Sequence, residues 1–204
     1  MKKPFWETTY SDVNAKSFGG TASDEVIDLM KLLPERARVL DLGCGDGRNA
    51  IPLAEAGFDV TAVDISKAGI GKLRTLIEGR RLSIRAVVAD MRDYRIQGRY
   101  DLIIAQGCLH LLERTQWKKL IEEIQEHTLP GGFNAVTVFN DSVPASPDME
   151  DFFIGLFQEA ELFSIYSHWD LLLKKSYIFR DEHPGEIHHT HAADKVVACR
   201  REVK

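Results

Sequence analysis

The amino-acid sequence predicts an α/β protein with a doubly wound, seven-stranded, mostly parallel sheet that ends in an antiparallel hairpin. Strand-like apolar runs alternate with helical patterns along most of the chain, and a glycine-rich turn follows the first of these strands. At 204 residues, one domain covering residues 1–204 is expected, with residues 1–22 as an N-terminal arm that can serve as a lid.

The predicted elements follow one another in a regular order. Ser23 is expected to cap a first helix that Pro34 ends. Periodicity predicts further helices over residues 49–56, 67–77, 115–128 and 151–166. It predicts strands over residues 38–41, 58–63, 84–89, 100–105, 133–139, 170–179 and 192–199. The loop of residues 180–191 is too short for a helical crossover, so the last two strands are expected to be antiparallel neighbours.

Charge and apolar content restrict the partners. The chain has 26 Lys and Arg against 31 Asp and Glu, a formal net charge of -5, which gives no source for electrostatic binding of nucleic acid. No apolar run approaches the ~20 residues that span a bilayer, and no signal core follows the first residues, so a cytoplasmic protein is expected. Three widely spaced cysteines, Cys44, Cys108 and Cys199, favour reduced thiols over disulfides or zinc, and no metal site is expected.

Three glycines, Gly43, Gly45 and Gly47, stand between the first strand and its helix. Glycine is needed where the backbone turns sharply and approaches a ligand, and the start of a helix offers free N–H groups to an anion. The third glycine follows the second by two positions rather than three, which weakens the match to the NAD fingerprint Gly-x-Gly-x-x-Gly. A nucleotide-type ligand site is favoured over a plain tight turn.

Two acidic residues end the next two strands. Asp64 lies close to the offset of ~20 residues at which a carboxylate meets ribose hydroxyls beside such a turn. The alternative role is a helix cap, which Ser66 can also provide. Asp90 can accept a hydrogen bond from an adenine amino group while the Met91 main chain meets the ring edge, or it can act as a cap.

These motifs, in this order, resemble those of class I S-adenosylmethionine (SAM) methyltransferases. The matching segments are Asp41-Leu-Gly-Cys-Gly-Asp-Gly-Arg48, Val63-Asp64, Ala89-Asp90-Met91, Leu102-Ile-Ile-Ala-Gln106 and Pro130-Gly-Gly-Phe133. The resemblance implies a Rossmann-like methyltransferase fold in which the glycine turn holds the methionine half of SAM, Asp64 the ribose, and Asp90 with Met91 the adenine. Gln106 is then beside the amino group of the cofactor. The cofactor-binding residues implied are Asp41, Gly43, Cys44, Gly45, Arg48, Asn49, Asp64, Ile65, Asp90, Met91 and Gln106.

The methyl acceptor is expected outside the carboxyl ends of the parallel strands. Segments expected there are the arm with Trp6, Tyr10 and Phe18, residues 107–113, residues 140–148 and the loop between the last two strands. That loop contains His183, His188, His189 and His191. Histidine can accept a proton or bind an oxyanion, while a solvated loop and a less favoured zinc site are the alternatives. His110 is expected to be packed rather than catalytic.

A narrower resemblance concerns the same loop. Gly185-Glu-Ile-His188-His189-Thr190 is similar to the Gly-Glu-Leu-His-Arg-Thr stretch of TehB-type tellurite-resistance methyltransferases. This resemblance implies that His188 is the substrate-site histidine, and it makes His188 and His189 the catalytic candidates. At the position of His189 a permanently charged arginine is replaced by histidine, which ordinarily is mostly neutral at pH 7, so acceptors other than oxyanions stay open.

The sequence predicts a SAM-dependent methyltransferase that acts on a small molecule and releases S-adenosylhomocysteine (SAH). A tellurite- or selenite-type oxyanion is the favoured acceptor, and a small thiol, phenol or carboxylate is the alternative. Two other classes stay open, an NAD(P)-dependent oxidoreductase and a noncatalytic SAM-binding regulator. Nucleic-acid bases are disfavoured because Ala105-Gln-Gly-Cys108 stands where base methyltransferases carry an Asp-Pro-Pro-Tyr-type motif.

Overall fold

The computed structural model describes residues 4, 6–15, 17, 20–147, 149–183 and 187–202. Phe18, Asp148 and residues 184–186, which were expected near the acceptor, lie outside these described residues. The sheet consists of seven strands, β1 (Arg38–Leu42), β2 (Asp59–Asp64), β3 (Ile84–Val88), β4 (Tyr100–Gln106), β5 (Thr128–Asn140), β6 (Asp170–His183) and β7 (Ile187–Cys199).

The strand order is β3-β2-β1-β4-β5-β7-β6. β2 pairs in parallel with both β1 and β3, whereas β7 runs antiparallel to both β5 and β6. The predicted mixed sheet with a C-terminal antiparallel hairpin is therefore confirmed. The chain divides into two units, Met1–Ile104 and Ala105–Lys204, and each is described in turn.

Six α-helices lie in the described parts of the chain. They are α1 (Trp6–Ser11), α2 (Asp24–Met30), α3 (Ala50–Glu55), α4 (Lys67–Ile77), α5 (Arg114–His127) and α6 (Glu161–Ile165). The prediction for α4 is correct at both ends, while α1 was not predicted at all. None of the described helices is both long and apolar enough to cross a membrane.

The first unit buries both faces of its strands. Val39, Leu40 and Leu42 of β1 are fully buried, as expected for a parallel strand that is covered on both sides. α4 packs along β2 and β3 and contributes the buried side chains of Ile70 and Leu73. This packing holds the carboxyl ends of β1 and β2, where the glycine-rich turn begins, on a rigid base.

The second unit is organised around α5. Glu113 and Gln116 form a reciprocal capping box at its start, which satisfies two backbone N–H groups of the first turn. The inward face of the helix buries Trp117, whose indole stacks on Phe157 with ring centroids 3.8 Å apart.

The helix predicted over residues 151–166 is wrong for most of its length. Only Glu161–Ile165 is helical. Phe157 instead pairs through its backbone with Phe139 and Asp141. Gly155 lies so close to the Leu112 carbonyl that a Cβ could not fit. The apolar spacing of this segment therefore reflects packing on the strands and α5, not a helix.

The predicted loop between the last two strands is also wrong. β6 continues to His183 and β7 begins at Ile187, with Asp181 opposite His189 in the ladder. Backbone pairing of the whole segment turns most of the expected loop into a two-stranded ribbon. His188, His189 and His191 therefore follow the alternation of a strand, so that neighbouring side chains point to opposite faces.

Asp194 of β7 offers a test of how the second unit is held together. This fully buried carboxylate accepts hydrogen bonds from the Ala160 N–H at 2.8 Å and from the Ser176 hydroxyl at 2.5 Å. We expect Asp194→Ala to lower the free energy of unfolding by about 3 kcal/mol, because the Ala160 N–H and the Ser176 hydroxyl lose a charged acceptor that is itself fully buried. Asp170→Ala, which breaks an exposed ion pair with Arg201, is the control and should change it little. Equal urea midpoints for the two variants would contradict the assignment.

Candidate functional site

The glycine-rich turn leaves β1 at Leu42 and reaches α3 at Ala50. Gly43, Gly45 and Gly47 all have positive φ angles, of 71°, 57° and 90°, a region that favours glycine. The N–H groups of Gly43 and Cys44 both donate to the carbonyl of Val63, at 2.8 and 3.1 Å. The turn is therefore tied to the end of β2.

Asp64, the last residue of β2, holds the same turn through its side chain. Its Oδ2 accepts from the Gly45 N–H at 2.8 Å, and its Oδ1 accepts from the Ser66 N–H at 2.7 Å. Burial raises the pKa of this carboxyl group, and the two backbone hydrogen bonds partly oppose that shift. Ser66 caps α4 by accepting from the Gly69 N–H, so the cap does not require Asp64. A carboxylate has about four lone-pair positions, so Asp64 can still accept from a ligand.

Four N–H groups of this turn have partners within the protein, whereas anion binding by the N–H groups at the start of α3, where it was expected, stays a prediction. The N–H groups of Gly43, Cys44 and Gly45 donate to Val63 and Asp64, and that of Gly47 donates to the Cys44 carbonyl. A pyrophosphate would need these donors free. The turn is therefore poorly suited to the anionic centre of a dinucleotide.

Asp41 lies one strand away and is almost fully buried. Burial raises its pKa to about 7; the positive charge of Arg48 lowers it and the negative charge of Asp64 raises it. Its Oδ2 has no hydrogen-bond partner among the described residues. A buried carboxyl group with an unsatisfied oxygen beside a glycine turn is a candidate for binding a polar or cationic ligand group.

Three other predicted cofactor residues of the turn contact the protein itself. Arg48 donates to the Thr21 carbonyl at 3.3 Å, and the Asn49 side-chain oxygen accepts from the backbone and hydroxyl of Ser23. Both therefore bind the segment that leads into α2. Cys44 is buried, and burial raises the pKa of its thiol well above the ordinary value. The thiol is therefore kept in its neutral form.

The predicted adenine-side residues are more exposed. Hydrogen bonds from the Arg92 guanidinium to Asp90 lower the pKa of this carboxyl group, and the Arg92 N–H also donates to Asp90 at 2.9 Å. Asp90 therefore stabilises its own turn, as in the alternative role. Ile65 is 54% exposed and Met91 is half-buried. Each therefore presents apolar surface next to an acidic residue, Ile65 beside Asp64 and Met91 beside Asp90. Gln106 is half-buried at the end of β4, in the second unit.

Tyr10, which was expected in an arm near the acceptor, packs on the glycine-rich turn. Its side chain, carried by α1, is buried against Gly45, where a Cβ would overlap the phenol ring and hydroxyl. Burial and then the negative charges of Asp64 and Asp46 raise the pKa of the phenol well above its usual range. It is therefore a hydrogen-bond donor at any working pH. The missed signal was the lack of a side chain at Gly45, which leaves room for the ring.

The candidate catalytic histidines fall on opposite faces of β7 in the second unit. His188 is exposed, whereas His189 and His191 are buried, with ring centroids 5.7 Å apart and nearly parallel planes. His189 Nδ1 lies 2.7 Å from the hydroxyl oxygen of Ser146. The His191 ring also stacks on Phe139, with ring centroids 4.8 Å apart.

His110 is packed, as expected. Its ring stacks on Phe139 at 4.2 Å, and its Nδ1 accepts from the Phe139 N–H at 3.2 Å. Burial lowers its pKa to about 3, and nearby His191 adds to the shift. His110 is therefore neutral at working pH and holds the backbone of β5.

Comparisons with known proteins identify the family of this chain. The family model described as tellurite resistance protein TehB matches residues 8–201. Two proteins named probable S-adenosyl-L-methionine-dependent methyltransferase TehB, from Haemophilus influenzae strains, are 34% and 33% identical over 182 residues, 88% of this chain and 60% of theirs. Hemagglutinin 1 of Eikenella corrodens is 32% identical over 79% of this chain and 53% of its own. The chain thus spans 60% or less of the length of these curated relatives.

Solved structures support the same assignment. TehB from Haemophilus influenzae superposes with a TM-score of 0.77 at 26% identity, covering 88% of this chain and 62% of that one. The N-methyltransferase NodS from Bradyrhizobium japonicum WM9, solved with SAH, gives 0.71 at 15% identity over 97% of both chains, which supports the fold alone. The fold is that of Rossmann-like SAM methyltransferases. Because the family model covers residues 8–201 and the relatives reach 34% identity, this chain belongs to the family of the tellurite resistance protein TehB.

Proposed function

We propose that this chain binds SAM and transfers its methyl group to a small-molecule acceptor. The proposal rests mainly on which polar groups of the glycine-rich turn and its neighbours can still bind a ligand. Four N–H groups of the turn are bonded within the protein, while Asp41 and Asp64 present buried carboxyl oxygens. Such a site favours a ligand with a cationic group and hydroxyls, as SAM has, over a pyrophosphate. The names of the TehB relatives support the same cofactor.

The residues present fit SAM in distinct roles. Asp64 can accept from ribose hydroxyls through lone pairs not used by Gly45 and Ser66. The unsatisfied oxygen of Asp41 can accept from an ammonium group. Ile65 and Met91 offer apolar surface for a base, next to Asp90. When bound, SAM supplies a methyl carbon already activated by the sulfonium, so the protein needs to align the acceptor and exclude water, without a covalent protein nucleophile.

For the acceptor side we propose that His189 assists the incoming nucleophile. Its ring is buried and hydrogen bonded to Ser146, so its orientation is set before a substrate binds. A histidine held in this way can accept a proton from a thiol or phenol, or donate to an oxyanion such as tellurite or selenite. Tellurite is the acceptor suggested by the family description. An acceptor screen against SAH production, covering tellurite, selenite, thiols, phenols and small carboxylates, is the direct test.

Cofactor identity can be tested separately from catalysis. SAM and SAH should each raise the melting temperature, whereas NADH and NADPH should leave it unchanged, because only a ligand that binds the folded state stabilises it. Stabilisation by a dinucleotide and not by SAM would overturn the proposal. SAM binding with no SAH formed from any acceptor would instead support a noncatalytic SAM-binding regulator.

Replacing Asp64 tests its role in the cofactor site. We expect Asp64→Ala to weaken SAM binding about tenfold or more, because ribose hydroxyls lose a charged acceptor and the Gly45 N–H loses its partner. Asp59→Ala, at the exposed start of the same strand, should bind SAM as the unmodified protein does. Titration calorimetry measures both. An unchanged affinity in Asp64→Ala would remove this residue from the site.

The raised pKa of Asp41 gives a pH dependence with a defined sign. With a pKa of about 7 in the free protein, Asp41 is protonated at low pH, and only its ionised form attracts an ammonium group. SAM affinity should therefore fall about tenfold from pH 8 to pH 6, with a proton released on binding near pH 6 to 7. Calorimetry in two buffers of different ionisation enthalpy measures the release. Asp41→Asn should flatten the profile, and an equally steep profile in that variant would assign the proton elsewhere.

The two histidines of β7 can be separated by mutation. We expect His189→Asn to lower kcat at least about tenfold with little change in SAM affinity, because a positioned acid or base is lost and the cofactor residues are intact. The resemblance predicts that His188→Ala also lowers turnover; because His188 is exposed, we expect the smaller effect there. A larger loss of turnover in His188→Ala than in His189→Asn would show that His188 has the main role.

A further inference from the structure

Ala15 and Ser17 of the N-terminal arm are attached to the glycine-rich turn and α4 by a buried charged network. Lys72 of α4 forms an ion pair with Asp46 of the glycine turn at 2.8 Å, with side chains only 4% and 8% exposed. The same ammonium group donates to the Ala15 carbonyl of the arm at 2.6 Å. The other oxygen of Asp46 accepts from the Ser17 hydroxyl. Four groups from three segments therefore share one buried network.

This network makes the arm part of the folded site. A buried ammonium group needs its partners, because removing a charge from water is costly unless hydrogen bonds and an opposite charge replace the lost hydration. The Ala15 carbonyl is one of those partners. The ion pair between Lys31 and Asp28 of α2 is the contrasting case, since both side chains are about 70% exposed and hydrated. Separation of the arm near Ala15 would leave Lys72 poorly solvated, whereas Lys31 has no such constraint.

Tyr10 of the arm packs on the same two segments, the glycine-rich turn and α4, that the network joins. α1 packs against α4, the helix that carries Lys72, and the Tyr10 ring contacts both Gly45 and the position of Gly69. Gly69 is required here, because a Cβ would press on the Gly45 carbonyl at 2.9 Å and on the ring. The phenol therefore packs on the backbone of Gly45 and Gly69, and the anchored arm helps to fix its position. The hydroxyl lies at Gly45, whose N–H is bound by Asp64.

We infer that Lys72 and Asp46 are positioning residues for the cofactor, which hold the arm so that the Tyr10 hydroxyl donates a hydrogen bond to an oxygen of bound SAM. This inference rests on the proposed function. The carboxylate and the ribose oxygens of SAM are the acceptors that we assign to this hydrogen bond, because the glycine turn and Asp64 beside Tyr10 are proposed to hold those parts of SAM. The arm is thus a permanent wall of the site and not a lid that closes from solution.

A double-mutant cycle tests the inference. Lys72→Met combined with Asp46→Asn removes both charges of the buried pair and leaves no unpaired charge, so the fold should survive. We expect this charge-removed variant to bind SAM about tenfold more weakly than the unmodified protein. Tyr10→Phe alone should lower the affinity for SAM by a similar factor. Tyr10→Phe added to the charge-removed variant should cost little more, because the phenol is no longer held in place.

The control applies the same chemical changes to the exposed pair. Lys31→Met with Asp28→Asn should bind SAM as the unmodified protein does. Tyr10→Phe added to this control should weaken SAM binding as much as Tyr10→Phe does alone. Hydrogen exchange of residues 6–15 should become faster in the charge-removed variant and not in the control. Methylthioadenosine, which lacks the amino-acid half of SAM, identifies the partner of Tyr10: a Tyr10→Phe loss restricted to SAM assigns the carboxylate, and a loss with both ligands assigns the ribose.

The outcomes are separable. If the unmodified protein does not bind SAM by calorimetry, the proposed function fails. If it binds SAM and the charge-removed variant binds equally well, the inference about Lys72 and Asp46 is wrong. Full additivity of the Tyr10→Phe and charge-removal losses would also overturn it, because the two changes would then act independently. Circular dichroism and the melting temperature establish that each variant is folded.

Discussion

The hydrogen bonds of the Asp64 carboxylate are the constraint on which the rest of the site depends. One oxygen holds the Gly45 N–H and the other holds the Ser66 N–H, so a single side chain fixes both the glycine turn and the start of α4. The Tyr10 ring, in turn, rests on Gly45 and beside Gly69. A side chain at the end of one strand therefore couples the turn, the helix and the arm. Such coupling preorganises the site, because the turn, the start of α4 and the arm cannot move independently of one another.

Local sequence signals predicted the parts of this arrangement that depend on local physics. The limits of α4 followed from apolar spacing and from Ser66 at its start, because a serine cap and a helical stripe act within a few residues. The parallel pairing of the early strands followed from their alternation with helices. The glycine turn was found because its positive φ angles select glycine.

The features that were missed depend on contacts between distant segments. α1 has only six residues, too few to be stable alone, and its position depends on the Tyr10 ring that packs on Gly45. No local signal marks Lys72 as buried, because its partners, Asp46 and Ala15, are far away in the sequence. The Phe157 segment was mistaken for a helix because its backbone partners, on β5, lie well before it in the chain.

The charge distribution of the first unit also bears on turnover. Of its buried acids, Asp46 is paired with a buried lysine, whereas Asp41 and Asp64 are bonded to neutral groups or left with a free oxygen. Arg48 lowers the pKa of Asp41, but burial outweighs this effect and the pKa stays raised. In its ionised form this group of acids favours a ligand with positive charge. Under the proposed function, methyl transfer would remove the sulfonium charge, so SAH would lose part of this attraction while it keeps its hydrogen bonds. We therefore expect these acids to hold SAM more tightly than SAH.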